Sequence, residues 1–392
     1  MTFDEIKATF DKYMMHSYSP FELCAVSGKN AVITDIEGKQ YIDFTSGIGV
    51  NCLGIADSEW ADAISEQAHT LNHVSNLYYN PATVMFAKAL CESSGFDKVF
   101  FGNSGAEANE CAIKLARKYS FDKYGEGRNE IITLRNSFHG RTVTTLSATG
   151  QDVFHNFFFP FTEGFTYVNA GNIEELKNAV NDKTCAIMVE LIQGEGGPIP
   201  LNQEYVEFIR AICDEKDIVF IADEVQTGVG RTGKLYAWEN FGVKPDVLTS
   251  SKGLGGGIPI GACLCTEKFA SVINPGQHGT TFGGNPICCA AANKVLSTIT
   301  SEGFLDVVCK KAEYMRAELE KIKGIKNVRG IGLMIGADVE GATASDVVKE
   351  ALKNGLMLLT AKTSLRFLPP LTITYNEIDR GISILKNILE GK

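Results

Sequence analysis

Short apolar runs alternate with longer amphipathic stretches through the middle of the chain. The runs KVFFG, EIITLR, CAIMVE, DIVFIAD and DVLTS are rich in β-branched or aromatic residues, as strands are. Residues 106–124 and 203–215 lie between several of them and have the apolar spacing of helices. This alternation predicts an α/β fold with a mainly parallel central sheet and helices on both faces.

The pattern changes toward both ends of the chain. Residues 4–14 have the pattern of a short amphipathic helix, and VITDIEGKQYIDF contains two β-prone runs around the turn at Gly38. From about residue 285, two long helical patterns extend to residue 323, and a mixed region precedes a last helix over 376–389. We therefore expect an N-terminal segment (1–69) that is part of a small α+β domain, a large α/β domain (70–284) and a C-terminal small domain (285–392).

Composition is typical of a globular protein with more than one domain. The 392 residues are 44% hydrophobic and 21% charged, and the net charge of −10 argues against non-specific nucleic-acid binding. No signal-peptide core opens the chain, and no run approaches the length of a membrane span. The eleven cysteines are scattered and lack zinc-ligand spacing. These features predict a cytoplasmic protein with reduced thiols and no metal, which binds neither nucleic acid nor membrane.

Lys252 has unusual neighbours. It follows the short apolar run at 247–249 and precedes glycines at 253, 255, 256 and 257, which let a backbone turn sharply and a bulky group approach. A lysine in such a place can hold a flat ligand by condensing with an aldehyde to form a Schiff base. Pyridoxal phosphate is the candidate, because it also needs a carboxylate at its pyridine nitrogen and a site for its phosphate. A solvated loop lysine is the alternative interpretation.

Asp223 can supply that carboxylate. It ends the apolar run 218–222, where a strand should end. An ionised aspartate there would keep the pyridine nitrogen protonated, so that the ring draws electrons from the substrate carbon. A turn or helix-cap aspartate is common, but Asp223 and Lys252 at successive strand ends favour the cofactor interpretation.

Three more loops follow strand-like runs, and ligands of open α/β sheets bind at such strand ends. Residues 103–107 (NSGAE) precede a helix, whose first backbone N–H groups could bind a phosphate. Residues 137–141 (SFHGR) offer an aromatic ring for stacking and an arginine for a carboxylate. Residues 191–197 (LIQGEGG) carry a glutamate between glycines. Taken singly, these residues would be a helix cap, a core aromatic and surface charges.

Residues 228–233 (GVGRTG) fit the glycine pattern of dinucleotide-binding proteins, and with Lys234 they resemble a nucleotide P-loop. Leu235 stands where a P-loop needs Ser or Thr. The residues from Asp223 to Thr227 separate the glycines from the strand-like run, and no clear helix follows. Both patterns are therefore rejected as the basis of the main prediction.

Taken together, the motifs resemble those of the class III pyridoxal-phosphate aminotransferases, which have the aspartate-aminotransferase-like fold (fold type I). The matching stretches are NSGAEANECAIKLAR, FHGRT, IQGEGG, ADEVQTGVGRTGKL, KPDVLTSSKGLGGGIPIGA, HGTTFGGNP, VRGIGLMIG and LRFLPPLTIT, with VITDIEGKQYIDFTSGIGV toward the N-terminus. Within the family they are most similar to those of the N-acetylornithine aminotransferases. The family usually has His-Pro where this chain has residues 55–59 (IADSE), so the local packing there is expected to differ.

The resemblance implies a role for each candidate residue. Lys252 bonds to the cofactor and moves the proton, and burial is expected to lower its pKa. Asp223 pairs with the pyridine nitrogen. The other cofactor residues are Val225 and Phe138 on the two ring faces, Gln226 near the ring hydroxyl, Ser104, Gly105 and Ala106 at the phosphate, and Thr281 from the partner subunit of a homodimer. The implied substrate residues are Arg141, Thr280 and the pair Glu195 and Arg366.

The implied activity is a ping-pong transamination between N2-acetyl-L-ornithine and 2-oxoglutarate, which gives N-acetylglutamate semialdehyde and glutamate in arginine biosynthesis. Another ω-aminotransferase of the class remains open, acting on ornithine, succinylornithine, 4-aminobutyrate or an acetylated lysine. A dinucleotide-dependent oxidoreductase built on residues 228–233 and a non-catalytic regulator with this fold are weaker alternatives. The presence of Lys252, Asp223 and Arg141 argues against the regulator.

Overall fold

The computed structural model describes residues 1–391. The α-helices are α1 (Phe3–Tyr13), α2 (Ser46–Gly49), α3 (Ser58–Thr70), α4 (Pro81–Ser94), α5 (Gly105–Tyr124), α6 (Val143–Ala148), α7 (Ile173–Ala179), α8 (Gln203–Lys216), α9 (Trp238–Phe241), α10 (Pro286–Ile299), α11 (Phe304–Glu320), α12 (Ala344–Lys353) and α13 (Tyr375–Glu390). Short 3₁₀ helices cover Ser75–Leu77, Asp152–Phe154, Lys252–Gly255 and Glu267–Phe269.

The strands are β1 (Ala25–Lys29), β2 (Val32–Asp35), β3 (Gln40–Asp43), β4 (Lys98–Gly102), β5 (Glu130–Leu134), β6 (Phe165–Val168), β7 (Thr184–Val189), β8 (Ile192–Gln193), β9 (Ile199–Pro200), β10 (Val219–Asp223), β11 (Val247–Ser250), β12 (Gly261–Cys265), β13 (Ile325–Ile331), β14 (Met334–Val339), β15 (Leu356–Met357), β16 (Leu359–Ala361) and β17 (Ser364–Phe367).

The central sheet has seven strands in the order β4-β12-β11-β10-β7-β5-β6. Its strands from β11 to β6 are parallel, as predicted, whereas β12 is antiparallel to both β11 and β4. Strand β12 (GACLC) contains no β-branched or aromatic residue, so the sequence pattern did not reveal it. The prediction of a mainly parallel sheet is confirmed, with one inserted antiparallel strand.

Alternate residues of the central strands pack against helices on opposite faces, because side chains alternate along a strand. Ile221 and Met188 pack with Ala112 of α5 on one face, and Phe220 and Ile187 pack with Val206 and its neighbours in α8 on the other. Both faces are thus covered by apolar helix surfaces. The predicted helices α1, α5, α8 and α13 begin and end within one residue of the expected positions.

The chain also forms two four-stranded sheets, in the orders β1-β2-β3-β15 and β13-β14-β17-β16, and a two-stranded sheet of β8 and β9. The predicted β-prone runs form β2 and β3 around Gly38, whose φ of 86° suits the turn. Parallel pairing of β3 with β15 joins a strand near the N-terminus to one near the C-terminus. The division into three segments at residues 69 and 284 stays a prediction.

Residues 55–59, where the chain departs from the family pattern, are ordered by local hydrogen bonds. The backbone N–H of Asn30 donates to the carbonyl of Ile55 at 2.9 Å, and the reverse bond measures 2.8 Å. Asp57 caps α3 by accepting from the backbone N–H of Trp60 at 2.9 Å. The Trp60 indole N–H donates to the carbonyl of Gly255 at 3.1 Å. The altered segment therefore caps α3, and Trp60 in the first turn of that helix contacts the glycine-rich turn that follows Lys252.

Three general features concern the described part of the chain. All eleven cysteines are free, and most of them are buried. Across residues 1–391, every helix is too short or too polar to cross a membrane. Within the same residues, no group of three or more His, Cys, Asp or Glu is arranged to hold a metal ion.

Candidate active site

The carboxyl ends of the central strands and the first turn of α5 enclose a pocket of about 280 Å³. It is lined by Gly105, Ala106, Asn109, Phe138, His139, Gly140, Arg141, Glu190, Asp223, Val225, Gln226, Ser251 and Lys252. A larger groove of about 840 Å³ lies along the outer surface of α5 and contains none of the predicted site residues. The smaller pocket is therefore the candidate active site.

Lys252 lies just beyond the buried strand β11, as the sequence predicted. It opens the 3₁₀ helix Lys252–Gly255 and has a φ of 37°, which is unfavourable for any residue with a side chain. Burial lowers the pKa of its amine, and the charge of Arg366 lowers it further, while Glu195 and Asp223 oppose the change. The direction agrees with the prediction, so the amine is more easily deprotonated than a surface lysine.

The carboxylate of Asp223 accepts three hydrogen bonds at the end of β10. Its Oδ2 accepts from Nδ2 of Asn109 at 2.8 Å and from Nδ1 of His139 at 2.7 Å, and its Oδ1 accepts from the backbone N–H of Val225 at 3.1 Å. The hydroxyl of Thr249 donates to Oδ1 of Asn109 at 2.6 Å, which fixes the orientation of that amide. Burial alone would lower the pKa of His139, but the hydrogen bond and charge of Asp223 more than offset it, and the pKa is raised.

Glu190 follows β7 and is buried at the back of the pocket. Its Oε1 accepts from the backbone N–H of Phe138 at 2.9 Å, and its Oε2 accepts from that of Gly194 at 3.3 Å. Burial raises the pKa of this carboxyl to about 7. Glu190 therefore joins two loops of the site and can change charge near neutral pH.

The first turn of α5 faces Val225. Ser104 caps the helix by accepting from the backbone N–H of Glu107 at 3.2 Å, which leaves the N–H groups of Gly105 and Ala106 without intrahelical partners. A Cβ at Gly105 would lie 2.7 Å from Cγ1 of Val225. Only glycine allows this close approach, which brings the helix dipole and its free donors to the pocket.

Two arginines of the site differ in their partners. Arg366 of β17 is buried, and its Nη1 donates to Oε1 of Glu195 at 2.6 Å and to Oε1 of Gln226 at 3.4 Å. Arg141 is exposed at the rim, with its guanidinium 4.1 Å from the ring centre of Phe154. Among residues 1–391, Arg141 forms no ion pair. It is therefore free to bind an anionic group.

The structure brings together most of the predicted site residues, but not all of them. Ser104 adjoins the pocket, and Glu195 and Arg366 meet beside Gln226. Thr280 lies outside the pocket, where its hydroxyl accepts from Nδ2 of Asn103 at 3.1 Å, and Thr281 is exposed to solvent. The sequence analysis assigned no role to five lining residues, namely Asn109, His139, Gly140, Glu190 and Ser251. Their only sequence signal was their position within or beside motifs that were chosen for other residues.

Comparisons with known proteins agree with this geometry. The family model described as aminotransferase class-III matches residues 13–389. The acetylornithine aminotransferase of Haemophilus ducreyi is 48% identical over 391 residues, which cover 99% of each chain. The succinylornithine transaminase of Photorhabdus laumondii is 42% identical over 391 residues, 98% of this chain and 97% of the relative. A structure of the ornithine aminotransferase from Toxoplasma gondii, described as having partial occupancy of PLP at its active site, superimposes with a TM-score of 0.94 at 32% identity, covering 100% of this chain and 96% of the other.

Proposed function

The chain belongs to the class III aminotransferases, which depend on pyridoxal phosphate, and on this basis we propose that it transfers the terminal amine of N2-acetyl-L-ornithine to 2-oxoglutarate. The products are N-acetylglutamate semialdehyde and glutamate, and the reaction belongs to arginine biosynthesis. The relative at 48% identity supports this substrate. One observation carries the proposal. Arg366 is neutralised by Glu195, whereas Arg141 is free at the rim.

The residues of the pocket fit pyridoxal phosphate. Lys252 offers an amine, and Asp223 offers a carboxylate. Because Gly105 has no side chain, the first turn of α5 packs against Val225, and its free backbone N–H groups lie at the pocket, where they could bind a phosphate. When bound, the cofactor supplies a carbonyl group that exchanges with amines and a conjugated ring that takes up electrons. Val225 and Phe138 would pack on the two faces of its ring, Gln226 would lie near the ring hydroxyl, and Ser104, Gly105 and Ala106 would hold the phosphate.

Lys252 acts as the base and acid of the reaction. Because burial lowers its pKa, a useful fraction of the amine is neutral and can take a proton from the carbon that bears the substrate's amino group. The same amine, now protonated, then gives up this proton, so Lys252 serves first as the base and then as the acid. His139 and Asn109 donate to Asp223 and so fix the orientation of the carboxylate that would face the pyridine nitrogen.

The two substrates place different demands on the arginines. N-acetylornithine has one carboxylate, far from its reacting amine, and Arg141 binds that end with Thr280 nearby. 2-Oxoglutarate reacts next to its α-carboxylate, so a second arginine must become free close to Lys252. Glu195 neutralises Arg366 for the first substrate and moves away for the second, when Arg366 binds the α-carboxylate. An ordinary rim ion pair without this motion is the alternative.

The site is completed by a second copy of the chain in a homodimer. Nδ2 of Asn76 donates to the carbonyls of Thr280 and Gly283, so the segment at 75–79 lies beside the one at 280–283. Leu77, Tyr78, Tyr79 and Phe282 in these segments are between 62% and 100% exposed. An apolar patch of this kind is typical of a subunit interface. Exposed Thr281, beside the patch, adds its hydroxyl to the phosphate site of the partner subunit.

The protein works in the cytoplasm. Its cysteines are free and most are buried in apolar surroundings, where desolvation raises the pKa of thiols such as Cys52 and Cys185 to about 12. Such thiols are unreactive and suit a reducing compartment.

The substrate assay tests the proposed function directly. We expect kcat/KM with 2-oxoglutarate as acceptor to be highest for N-acetylornithine, and about tenfold or more below that for ornithine, whose free α-amine adds a charge that must be desolvated. The relative at 42% identity makes N-succinylornithine the second candidate. A higher kcat/KM for N-succinylornithine or ornithine than for N-acetylornithine would replace the proposed donor.

A further inference from the structure

The motif VRGIGLMIG forms the hairpin of β13 and β14, to which no role has yet been assigned. The register of the hairpin shifts between Lys326 and Arg329, and Asn327 in this bulge has a φ of 50°. Bulges change the direction in which the next side chains point. Arg329 then pairs with Gly336 of β14, which pairs with Arg366 of β17. Residues paired across a sheet share a face, so Arg329 and Arg366 lie on the same face.

The guanidinium of Arg329 is held by four hydrogen bonds. Its Nη1 donates to Oδ1 of Asp338 at 2.9 Å and to the carbonyl of Asn327 at 3.0 Å, and its Nη2 donates to Oγ of Ser364 at 2.7 Å. Its Nε donates to the carbonyl of Gly197 at 2.7 Å. The first three bonds stay within the sheet of β13, β14 and β17, whereas the fourth reaches the loop that carries Glu195.

This loop, residues 194–197, lies directly on the hairpin. A Cβ at Gly336 would lie 2.9 Å from the carbonyl oxygen of Gly197. A Cβ at Gly197, whose φ is 117°, would lie 3.1 Å from Nη2 of Arg329. Both contacts need glycine. Two arginines of one sheet face thus hold the loop, Arg366 through the side chain of Glu195 and Arg329 through the backbone of Gly197.

We propose that Arg329 is a positioning residue that anchors the loop 194–197, so that only Glu195 and its glycine neighbours move when Arg366 is freed. The inference rests on the proposed exchange of Glu195 between the two substrates. An anchor two residues from Glu195 confines the motion to that side chain and its glycine neighbours, and it returns the carboxylate to Arg366 after each turnover. Without the anchor the loop separates from the hairpin, and Arg366 remains charged and unpaired when N-acetylornithine binds.

The Arg329→Met variant of the holoenzyme tests this role, because methionine keeps the apolar stem and removes every donor. Each half-reaction is followed separately by the absorbance of the cofactor, with N-acetylornithine or with glutamate as the donor. We expect the ratio of kcat/KM for N-acetylornithine to that for glutamate to fall about fivefold or more, the effect of losing one charge-assisted hydrogen bond. A purely structural role would lower both values together.

Arg316→Met is the matched control. Arg316 is also partly buried, and its Nη2 donates to the carbonyl of Gly330 in the same hairpin, away from residues 194–197. We expect the ratio to be unchanged in this variant. A fall equal to that of Arg329→Met would overturn the inference, because general loosening of the hairpin would then explain it.

A double-mutant cycle with Glu195→Ala separates this inference from the proposed function. Glu195→Ala should itself shift the ratio toward glutamate, and adding Arg329→Met should then shift it no further. If Glu195→Ala leaves the ratio unchanged, both the proposed movement of Glu195 and the proposed anchoring role of Arg329 are contradicted. Two other results would overturn the anchor alone while Glu195→Ala still shifts the ratio. In the first, Arg329→Met leaves the ratio unchanged. In the second, adding Arg329→Met to Glu195→Ala shifts the ratio further.

Amide hydrogen exchange in the holoenzyme gives a readout that does not depend on turnover. We expect the peptide containing residues 194–197 to exchange faster in Arg329→Met than in the wild type, with peptides of β10 and β11 unchanged. Equal exchange of the loop in both proteins would overturn the anchor.

Discussion

At the scale of single residues, His139 holds one oxygen of the Asp223 carboxylate. Its Nδ1 donates at 2.7 Å, and its Nε2 is buried without a partner among residues 1–391. The pKa of His139 is raised despite burial, because Asp223 favours the protonated ring. His139 therefore fixes the position of one carboxylate oxygen of Asp223 in the pocket.

We predict that His139→Leu weakens cofactor binding. Asp223 then keeps only Asn109 and the backbone of Val225 as donors, and the loss of a charge-assisted hydrogen bond should raise the dissociation constant of pyridoxal phosphate about tenfold or more. Absorbance titration of the apoenzyme measures this constant. His155→Leu removes a bond to the carbonyl of Leu146 outside the pocket and should leave the constant unchanged. An unaltered constant in His139→Leu would contradict the role of the pair.

Glu190 gives a prediction about pH. Folding raises its pKa from 4.5 to about 7 by burial, so its contribution to stability is complete below about pH 4.5 and is lost as the pH rises through about 7. The loss is on the order of 3 kcal/mol.

Glu190→Gln stays neutral, so its free energy of unfolding should decrease less than that of the wild type between about pH 5 and about pH 8. Denaturant unfolding of the two apoproteins measures the difference, with exposed Glu215→Gln as the control. Parallel pH profiles for wild type and Glu190→Gln would contradict the assignment.

Sequence patterns identified Lys252 and Asp223 because each lies just after an apolar run that becomes a strand. They could not identify Asn109 and His139, which reach Asp223 from a helix and a loop far away in the sequence. Spacing along the chain does not reveal such contacts, since only the packing of the sheet brings these elements together. Glu190 was visible only as the last residue of a predicted strand.

At the scale of elements, the position of α5 depends on one glycine. Gly105 begins the helix, and the space for its missing side chain is filled by Val225 from the loop after β10. The helix can therefore bring its first backbone donors against the pocket. The same contact explains why a small residue must follow Ser104 in the motif NSGAE.

We predict that Gly105→Ala displaces the first turn of α5. The added methyl would lie 2.7 Å and 2.9 Å from the two methyl groups of Val225, and overpacking of this kind costs about 1–3 kcal/mol. Both the midpoint of denaturant unfolding and the affinity for pyridoxal phosphate should fall. Val225→Ala removes the two methyl groups, so Gly105→Ala should be less harmful in that background. Equal effects in both backgrounds would show that the contact with Val225 is not the cause.

The long helices and the buried strands were predictable, because their apolar spacing is strong over many residues. Helices α3, α4 and α12 were not singled out, and β12 was missed because GACLC carries little β-branched signal. The bulge in β13 was also beyond prediction, since it becomes visible only when β13 is paired with β14. Arg329, Gly336 and Arg366 become neighbours only when β13, β14 and β17 pair in this register.

At the scale of the whole molecule, the exposed apolar residues at 77–79 and 282 are a feature that a monomer does not explain. They lie next to Thr281, which is exposed and does not line the pocket of its own chain. A symmetric dimer would bury both copies of this patch and bring each Thr281 to the partner's site. The sequence alone implied the dimer through resemblance, whereas the structure adds the patch.

We predict that two inactive variants complement each other in a dimer. Lys252→Ala lacks the amine, and Thr281→Val lacks the hydroxyl that the partner needs. A mixed dimer contains one site with both defects and one site with neither, so purified heterodimers should recover up to about half of the wild-type activity per dimer. Wild-type subunits treated in the same way control for losses during exchange. Verified heterodimers without activity would mean that each site is formed by one chain.

The central claim is that Lys252 in this pocket bonds to pyridoxal phosphate, and peptide mapping after borohydride reduction tests it most directly. Reduction makes the bond between the lysine amine and the cofactor permanent. We predict that the peptide containing Lys252 gains the mass of the reduced cofactor, and that Lys252→Ala gains none. A label on Lys234, in the glycine-rich turn at 228–233, or on no lysine at all would contradict the account.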